Sequence, residues 1–149
     1  MSHVRKQLRD AIVTLVTGLA TTGSRVYTGR VYPMQEADLP CLWVNTIPED
    51  GVPQDLSVSG ILQRTVTVEI VGIARGTSGL VDTMDAICEE VETALGSGVV
   101  LGGTTVALDY TGTDHQLSGE ADQPIGRASI RYVCNLYTTS SAPGTLVMV

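Results

Sequence analysis

The chain has 149 residues, which fits one domain with a substantial hydrophobic core, and 43% of its residues are hydrophobic against 17% charged. Its net charge of −7 repels a phosphate backbone, so tight non-specific nucleic-acid binding is disfavoured, and no apolar run is long enough to span a bilayer. So apolar a composition indicates that copies of the chain cover part of its surface.

Helical spacing marks the beginning of the chain. Apolar residues recur every three or four positions and predict a helix over about residues 3–20, ended by Gly23. The apolar stripe of this helix consists of Val4, Leu8, Ile12, Leu15 and Leu19. Residues 26–33 are typical of a short strand or bent edge. Residues 39–47, bounded by prolines, predict a strand buried on both faces, and the Pro- and Gly-rich residues 48–60 predict a loop.

The middle of the chain contains the clearest strand and a second helix. Residues 61–75 alternate between apolar and polar, and their length predicts a bulge or bend near Gly72. A helix is expected from Ser78, as N-cap, to Leu95, with Gly96 as its stop. Its buried stripe is predicted to consist of Leu80, Met84, Ile87, Cys88, Val91 and Leu95.

The last third reads as turns and strands. The glycines after Gly96 miss the spacing of a phosphate-binding loop and predict a hairpin turn. A short strand over 104–110, a polar loop over 111–124 and a long strand over 125–138 follow. The buried face of that long strand is predicted to be Ala128, Ile130, Tyr132, Cys134 and Leu136.

This order of elements predicts an α+β fold, a largely antiparallel mixed sheet with two amphipathic helices on one face. Residues 1–138 form a single domain in this interpretation, and residues 139–149 form a C-terminal extension. Three widely spaced cysteines lie in apolar runs and read as buried thiols in a reducing compartment: Cys41, Cys88 and Cys134.

Residue patterns that carry chemistry are weak. Ser78 lies between glycines but lacks the spacing of a nucleophile elbow, and the chain has only two histidines, His3 and His115. One region rich in acidic residues contains Asp109, Asp114, His115, Glu120 and Asp122. It could bind a hard cation through its carboxylates, use His115 as a base, or be an ordinary polar surface. Its spacing matches no EF-hand, so no catalytic residue, metal or cofactor is assigned and no enzymatic activity is expected.

Charge patterning points to contacts instead. The second helix carries five acids and no base: Asp82, Asp85, Glu89, Glu90 and Glu92. This face is a solvated surface, a contact for a basic neighbouring subunit, or the lining of a channel through which DNA slides. Arg127 and Arg131 lie on the polar face of the last strand, where Arg64 and Glu69 are possible cross-strand neighbours, and are candidates for pairing between subunits.

The whole chain resembles the tail terminator family of long-tailed phages, of the lambdoid minor tail protein U type, and its neck-protein relatives. The resemblance lies in RVYTGRVYPMQEADLPCLWVNTIPED after the first helix, in RTVTVEIVGIARG followed by LVDTMDAICEEVETALG, and in RASIRYVCNLYT. It implies a hexameric ring that caps the finished tail tube and joins it to the head connector, with DNA passing through the lumen. It also implies assembly in the host cytoplasm, a place at the head-proximal end of the virion tail, and no membrane partner.

Three segments are the predicted contacts with neighbouring subunits, the tail tube protein and the connector: the loops 49–59 and 111–124, and the tail 142–149 adding a strand to a neighbour. The candidate interface residues are Glu49, Asp50, Asp55, Asp82, Asp85, Glu89, Glu90, Asp114, Glu120, Arg127, Arg131, Leu146, Val147 and Val149. Two alternatives stay open: another neck, head-completion or tube ring component, and a small ligand-binding α+β regulatory module, which would need a pocket of convergent polar groups.

Overall fold

The structure is a computed structural model that describes residues 3–28, 39–53, 61–76, 79–118, 124–139 and 141–147, without the side chains of 48–53 and 118. The two helices are α1 (Val4–Val16) and α2 (Leu80–Leu95). The strands are β1 (Val26–Tyr27), β2 (Cys41–Pro53), β3 (Ile61–Arg75), β4 (Val99–Leu101), β5 (Thr104–Val106), β6 (Asp109–Ser118), β7 (Ile125–Thr139) and β8 (Ala142–Leu146).

Six strands form the main sheet, in the order β1-β2-β3-β7-β6 with β8 also paired to β7. All of these pairings are antiparallel except the two-residue parallel pairing of β1 with β2. Strands β4 and β5 form a separate hairpin, closed by Gly102 and Gly103 with positive φ, as the glycine-rich sequence predicted. The α+β class predicted from the element order is confirmed.

Helix α1 packs on the side of the sheet that carries β2, and it buries every fourth residue. Val4, Leu8, Ile12 and Val16 are fully buried, whereas Leu15 is 39% exposed. The predicted stripe was therefore wrong at its end. The helix ends at Val16, with Thr17 as C-cap and a turn around Gly18, so the pattern does not continue through Leu15 to Leu19.

Helix α2 buries all six residues of its predicted stripe and ends at Gly96, as expected. Its start differs from the prediction. The N-cap is Gly79, in the left-handed region with φ 68° and without a side-chain cap hydrogen bond, and not Ser78 as predicted, which lies outside the described residues. Glycine adopts this conformation without a steric penalty, which makes it a suitable first residue for the turn into the helix.

Strands β3 and β7 form the centre of the sheet, and their pairing runs without interruption from Ile61 opposite Thr139 to Arg75 opposite Ile125. The bulge predicted near Gly72 is wrong, because Gly72 pairs regularly with Leu42; the register shift between β2 and β3 lies between Ile47 and Asp50, opposite Thr67 and Thr65. Gly72 has another function. A Cβ atom there would lie 2.8 Å from Cγ2 of Ile87, so the glycine lets α2 pack closely on the sheet.

We expect Gly72→Ala to lower the free energy of unfolding by about 1–3 kcal/mol through overpacking. Gly72 has no left-handed φ, so alanine fits its backbone conformation. By itself, the change would stabilise the protein by about 0.4–1 kcal/mol, because alanine lowers the conformational entropy of the unfolded chain. Overpacking outweighs this gain because the β-branched Ile87 has little rotamer freedom in a helix. Urea denaturation measures the difference.

Gly126→Ala is the matched control. A Cβ atom there would collide with the thioether of Met84, a flexible side chain that can move aside, so we expect a smaller loss than at Gly72. A Gly72→Ala variant as stable as the wild type would contradict the proposed close packing of α2.

Two predicted loops are strands. Residues 48–53 belong to β2, whose Asp50 lies opposite Thr65 and whose Pro53 lies opposite Leu62. Residues 111–118 belong to β6 and pair with β7. Both segments are polar or rich in Gly and Pro, so side-chain patterning did not mark them. Backbone hydrogen bonds to a long neighbouring strand hold them in the sheet.

The C-terminal segment is part of the same sheet. Strand β8 pairs with β7, with Leu146 opposite Thr138, and the Val147 N–H donates to the Tyr137 carbonyl at 2.8 Å. In α1, Gln7 donates to the Gly144 carbonyl at 2.7 Å. The tail thus adds its strand to its own chain in this structure, rather than to a neighbour as predicted from the sequence.

The three cysteines are buried free thiols, as their apolar surroundings predicted. No helix in the described ranges has the length and hydropathy needed to cross a lipid bilayer.

Candidate functional site

The candidate functional surface lies where α2 runs beside β6, the outermost strand of the main sheet on that side. We call this surface the α2–β6 side and define it by α2 residues 81–92 and β6 residues 109–117. Of the candidate residues on α2, Asp82, Asp85 and Glu89 are exposed to solvent. Helix α2 contains no lysine or arginine, so every charged side chain on its outward face is acidic.

Apolar side chains are exposed on the same side. Val81 is 49% exposed, Tyr110 is 50% exposed and Leu117 is 60% exposed. The Tyr110 ring contacts the Tyr132 ring edge to face, with centroids 5.8 Å apart, and its hydroxyl lies 2.6 Å from Oγ1 of Thr113. None of these three residues was a candidate from the sequence, and Leu117 had no assigned face because 111–124 was predicted to be a polar loop.

His115 is the one described histidine on this side, and one of its ring nitrogens faces two groups of α2. Its Nε2 atom lies 3.8 Å from Oδ1 of Asp85 and 3.9 Å from Sγ of Cys88. Burial, together with the nearby carboxylates of Glu92 and Asp85, raises the pKa of the Cys88 thiol to about 11.

This arrangement does not favour catalysis by the thiol. A cysteine nucleophile requires a lowered pKa, whereas that of Cys88 is raised. In a catalytic triad the base also uses its two nitrogens for different partners, but here the same nitrogen faces both groups. Among the described residues, no three ligating side chains lie close enough to hold a metal ion.

The two arginines predicted to pair between subunits have partners within the chain. Arg131 Nε lies 3.3 Å from Oε2 of Glu69, as the cross-strand pairing predicted, and its Nη1 lies 3.6 Å from Oδ2 of Asp114. Arg127 lies over the Trp43 ring, 5.7 Å from its centroid. Both arginines are exposed on the sheet face opposite the helices, and these contacts hold their guanidinium groups against that face.

Arg64, the other predicted neighbour, lies opposite Leu136 and donates from Nε to Oγ1 of Thr138 at 3.0 Å. It lies on the helix-covered face of the sheet rather than beside Arg127 or Arg131. The prediction of a cross-strand pair is therefore confirmed for Glu69 and wrong for Arg64.

Glu90 has a structural contact of its own. Its carboxylate accepts from the Thr21 backbone N–H at 2.9 Å and from the Thr21 hydroxyl at 2.6 Å. It thereby ties α2 to the turn after α1. Glu90, one of the acidic residues proposed for intersubunit contact, therefore already has hydrogen-bond partners within the subunit.

The remaining candidate residues divide into two groups. Glu49 and Asp50 lie in β2, without described side chains, and Leu146 and Val147 lie at the β8 end. Asp55, Glu120 and Val149 lie outside the described residues. The structure therefore brings together Asp82, Asp85 and Glu89 on α2, whereas Asp114 pairs with Arg131 on the face of β6 that points away from the helices.

The opposite edge of the molecule has the opposite charge. We call it the α1–β2 side and define it by α1 residues 5–9 and β2 residues 44–47. Arg9 donates from Nη1 to Oγ1 of Thr46 at 3.0 Å, and Lys6 pairs with Asp10 at 2.6 Å. Helix α1 carries three basic residues and one acidic residue. A shallow cleft on this side is lined by Arg9, Thr28, Val44, Asn45 and Thr46.

No family model matches the sequence, and no curated protein matches it. Among solved structures, the chain is similar to one in "Virion of native gene transfer agent (GTA) particle". The two share 23% sequence identity with a TM-score of 0.48, over 89% of this chain and 92% of that chain.

Proposed function

We propose that the protein is a structural subunit of a phage-type virion that acts by assembling into a ring. The observation that carries the proposal is the α2–β6 side. There, a ten-residue strand forms the outer edge of the described sheet, and three large apolar side chains on or next to it are 49–60% exposed. A long strand edge that no described strand covers, with exposed apolar residues, is a surface suited to pairing with another chain.

A tail terminator is the specific function that we propose for this ring. The sequence resemblance supports it: the order of helices and strands and the quoted segments are similar to that family. In this proposal the ring caps the completed tail tube, contacts the major tail protein on one face and the head connector on the other, and lets DNA pass through its lumen.

The test is assembly. We expect the purified protein, or the protein mixed with purified tail tubes, to give particles several subunits in mass by light scattering, and rings with a central hole by negative-stain microscopy. Rings on the ends of tubes would support the terminator function. Rings that stack along a tube would instead support a tube subunit. A protein that stays monomeric at all concentrations and does not bind tubes would overturn the proposal.

Leu117→Glu is a variant that separates assembly from folding. Leu117 is 60% exposed, so a charge there has little effect on the free energy of unfolding of the monomer. In a contact between copies, the same charge would lose its hydration at a position that packs an apolar side chain, and this would weaken assembly. Thr105→Glu, at an exposed site on β5 away from the α2–β6 side, is the matched control and should assemble normally.

A further inference from the structure

We propose that copies of this chain join head to tail, with the β6 edge of one copy paired to the β2 edge of the next, so that the sheet continues across the subunit boundary. The inference rests on the proposed function, since it names the two surfaces that meet in the ring. The partner of the α2–β6 side is thus the α1–β2 side of a second copy.

The donor edge is β6. Its described hydrogen-bonded neighbour in the sheet is β7 alone, so one edge of its backbone faces outward. Protected edge strands commonly carry lysine or proline, and β6 has neither. Its register shift lies between Tyr110 and Gly112 and leaves Thr113 to Ser118 in regular pairing with β7. This regular portion is long enough to hydrogen-bond a further strand.

The acceptor edge is β2. Strand β1 covers it only at Leu42 and Trp43. Beyond these residues, no strand in the described part of the chain pairs with the outer edge of β2. Within the described residues, Val44 to Ile47 form a second edge on the opposite end of the same sheet, next to the cleft that Arg9 borders.

Strand direction makes the two edges compatible. Each of the steps from β2 to β3, from β3 to β7 and from β7 to β6 is antiparallel. Consequently β2 and β6 run in opposite directions. A rotation about an axis along the strands preserves strand direction from copy to copy, so β6 of one copy would meet β2 of the next antiparallel. Repetition of one such rotation closes a ring when the angle permits.

Charge distinguishes this contact from the main alternative, a two-fold pairing of β6 with β6. Self-pairing would place the acidic α2–β6 side, which includes Asp85 and Asp109, against an identical acidic surface. Head-to-tail pairing places it against α1, where basic residues outnumber the single acid Asp10. Unlike charges across a contact favour association and fix its register, whereas like charges oppose it. The second copy therefore presents its α1–β2 side.

Cross-linking between single-cysteine positions tests the arrangement. Gln116 of β6 and Asn45 of β2 both lie on the sheet face opposite the helices, and the native cysteines are buried. In co-assembled Gln116→Cys and Asn45→Cys chains, a short bismaleimide should give a covalent dimer that contains one chain of each kind. Neither variant alone should give a covalent dimer, and the double variant should give a ladder of oligomers.

The outcomes separate the two proposals. Gln116→Cys chains that cross-link to one another would overturn head-to-tail pairing in favour of a two-fold contact. Assemblies of the expected mass in which no pair cross-links would overturn this inference and leave the ring function standing. No assembly under any condition, with tail tubes present, would overturn both. Each variant is first checked for wild-type thermal unfolding, so that a folding defect is not mistaken for lost contact.

Ionic strength gives a second measurement on the unmodified chain. Salt screens charges, so a contact between the acidic and basic sides should weaken as salt is raised. A contact between two acidic sides should strengthen under the same conditions. Subunit mass measured from low to high salt therefore supports the head-to-tail arrangement if assembly declines, and contradicts it if assembly increases.

Discussion

Replacing Ile70 with alanine is expected to lower the free energy of unfolding by about 3 kcal/mol, within the range of 2–5 kcal/mol observed for large-to-small changes in protein cores. Ile70 is fully buried in β3, between Val44 of β2 and Ile130 of β7. Because strands on both sides fix its backbone, the cavity cannot collapse easily. Most single domains are stable by only about 5–15 kcal/mol, so the loss is a large part of the total.

Ile47→Ala is the matched control, since it removes the same atoms from a neighbouring strand. The Ile47 side chain is 43% exposed, so its deletion leaves no closed cavity and should cost well under the loss at Ile70. Urea denaturation of both variants, at concentrations where the protein is monomeric, gives the comparison. Equal losses at the two positions would contradict the placement of Ile70 in the core.

Stability is expected to fall steeply above pH 9. Burial raises the pKa of the Cys134 thiol from 9.0 to about 12, with a further contribution from Asp109, and that of Cys88 to about 11. Burial likewise raises the pKa of Tyr132 from 10.0 to about 12. The folded state therefore keeps protons that the unfolded chain releases. The stability present below pH 9 is lost as pH rises toward the folded pKa values, on the order of 4 kcal/mol by pH 11 for the two thiols together.

The control removes the titrating groups without emptying the core. Valine is close to cysteine in size, so Cys88→Val and Cys134→Val should fold near neutral pH. We expect the double variant to lose stability more gradually than the wild type between pH 9 and 11, as measured by urea denaturation at each pH. Identical slopes in the two proteins would show that the thiols are not buried in the folded state in the way that the structure indicates.

Periodic segments with one buried face could be predicted from the sequence. Residues 61–75 were predicted as a strand with the bounds that β3 has, and the stripe of α2 was predicted residue by residue. In both, the hydrophobic pattern and the tertiary burial coincide. Segments 48–53 and 111–118 were mispredicted because they carry no such pattern. They are strands because backbone hydrogen bonds to β3 and β7 hold them in the sheet.

The candidate site could be predicted only in part from the sequence, because some of its residues are placed by strand pairing and not by a local pattern. The acidic face of α2 was visible because helical spacing places its residues. The exposure of Tyr110 and Leu117 depends on β6 being an outer strand, which follows from the order of strands in the sheet and not from local composition. Likewise, the partners of Arg131 include Asp114, whose position on β6 could not be known without that strand.

The central position of β7 affects how the protein folds. Strand β7 pairs with β3, β6 and β8, yet it is formed by residues 125–139, near the end of the sequence. During synthesis the hairpin of β2 and β3 emerges first and exposes the β3 edge that β7 later occupies. The sheet cannot close until residue 139 has left the ribosome. Pairings this distant in sequence carry a loop-closure cost and fold slowly, so the nascent chain is open to strand-mediated aggregation in that interval.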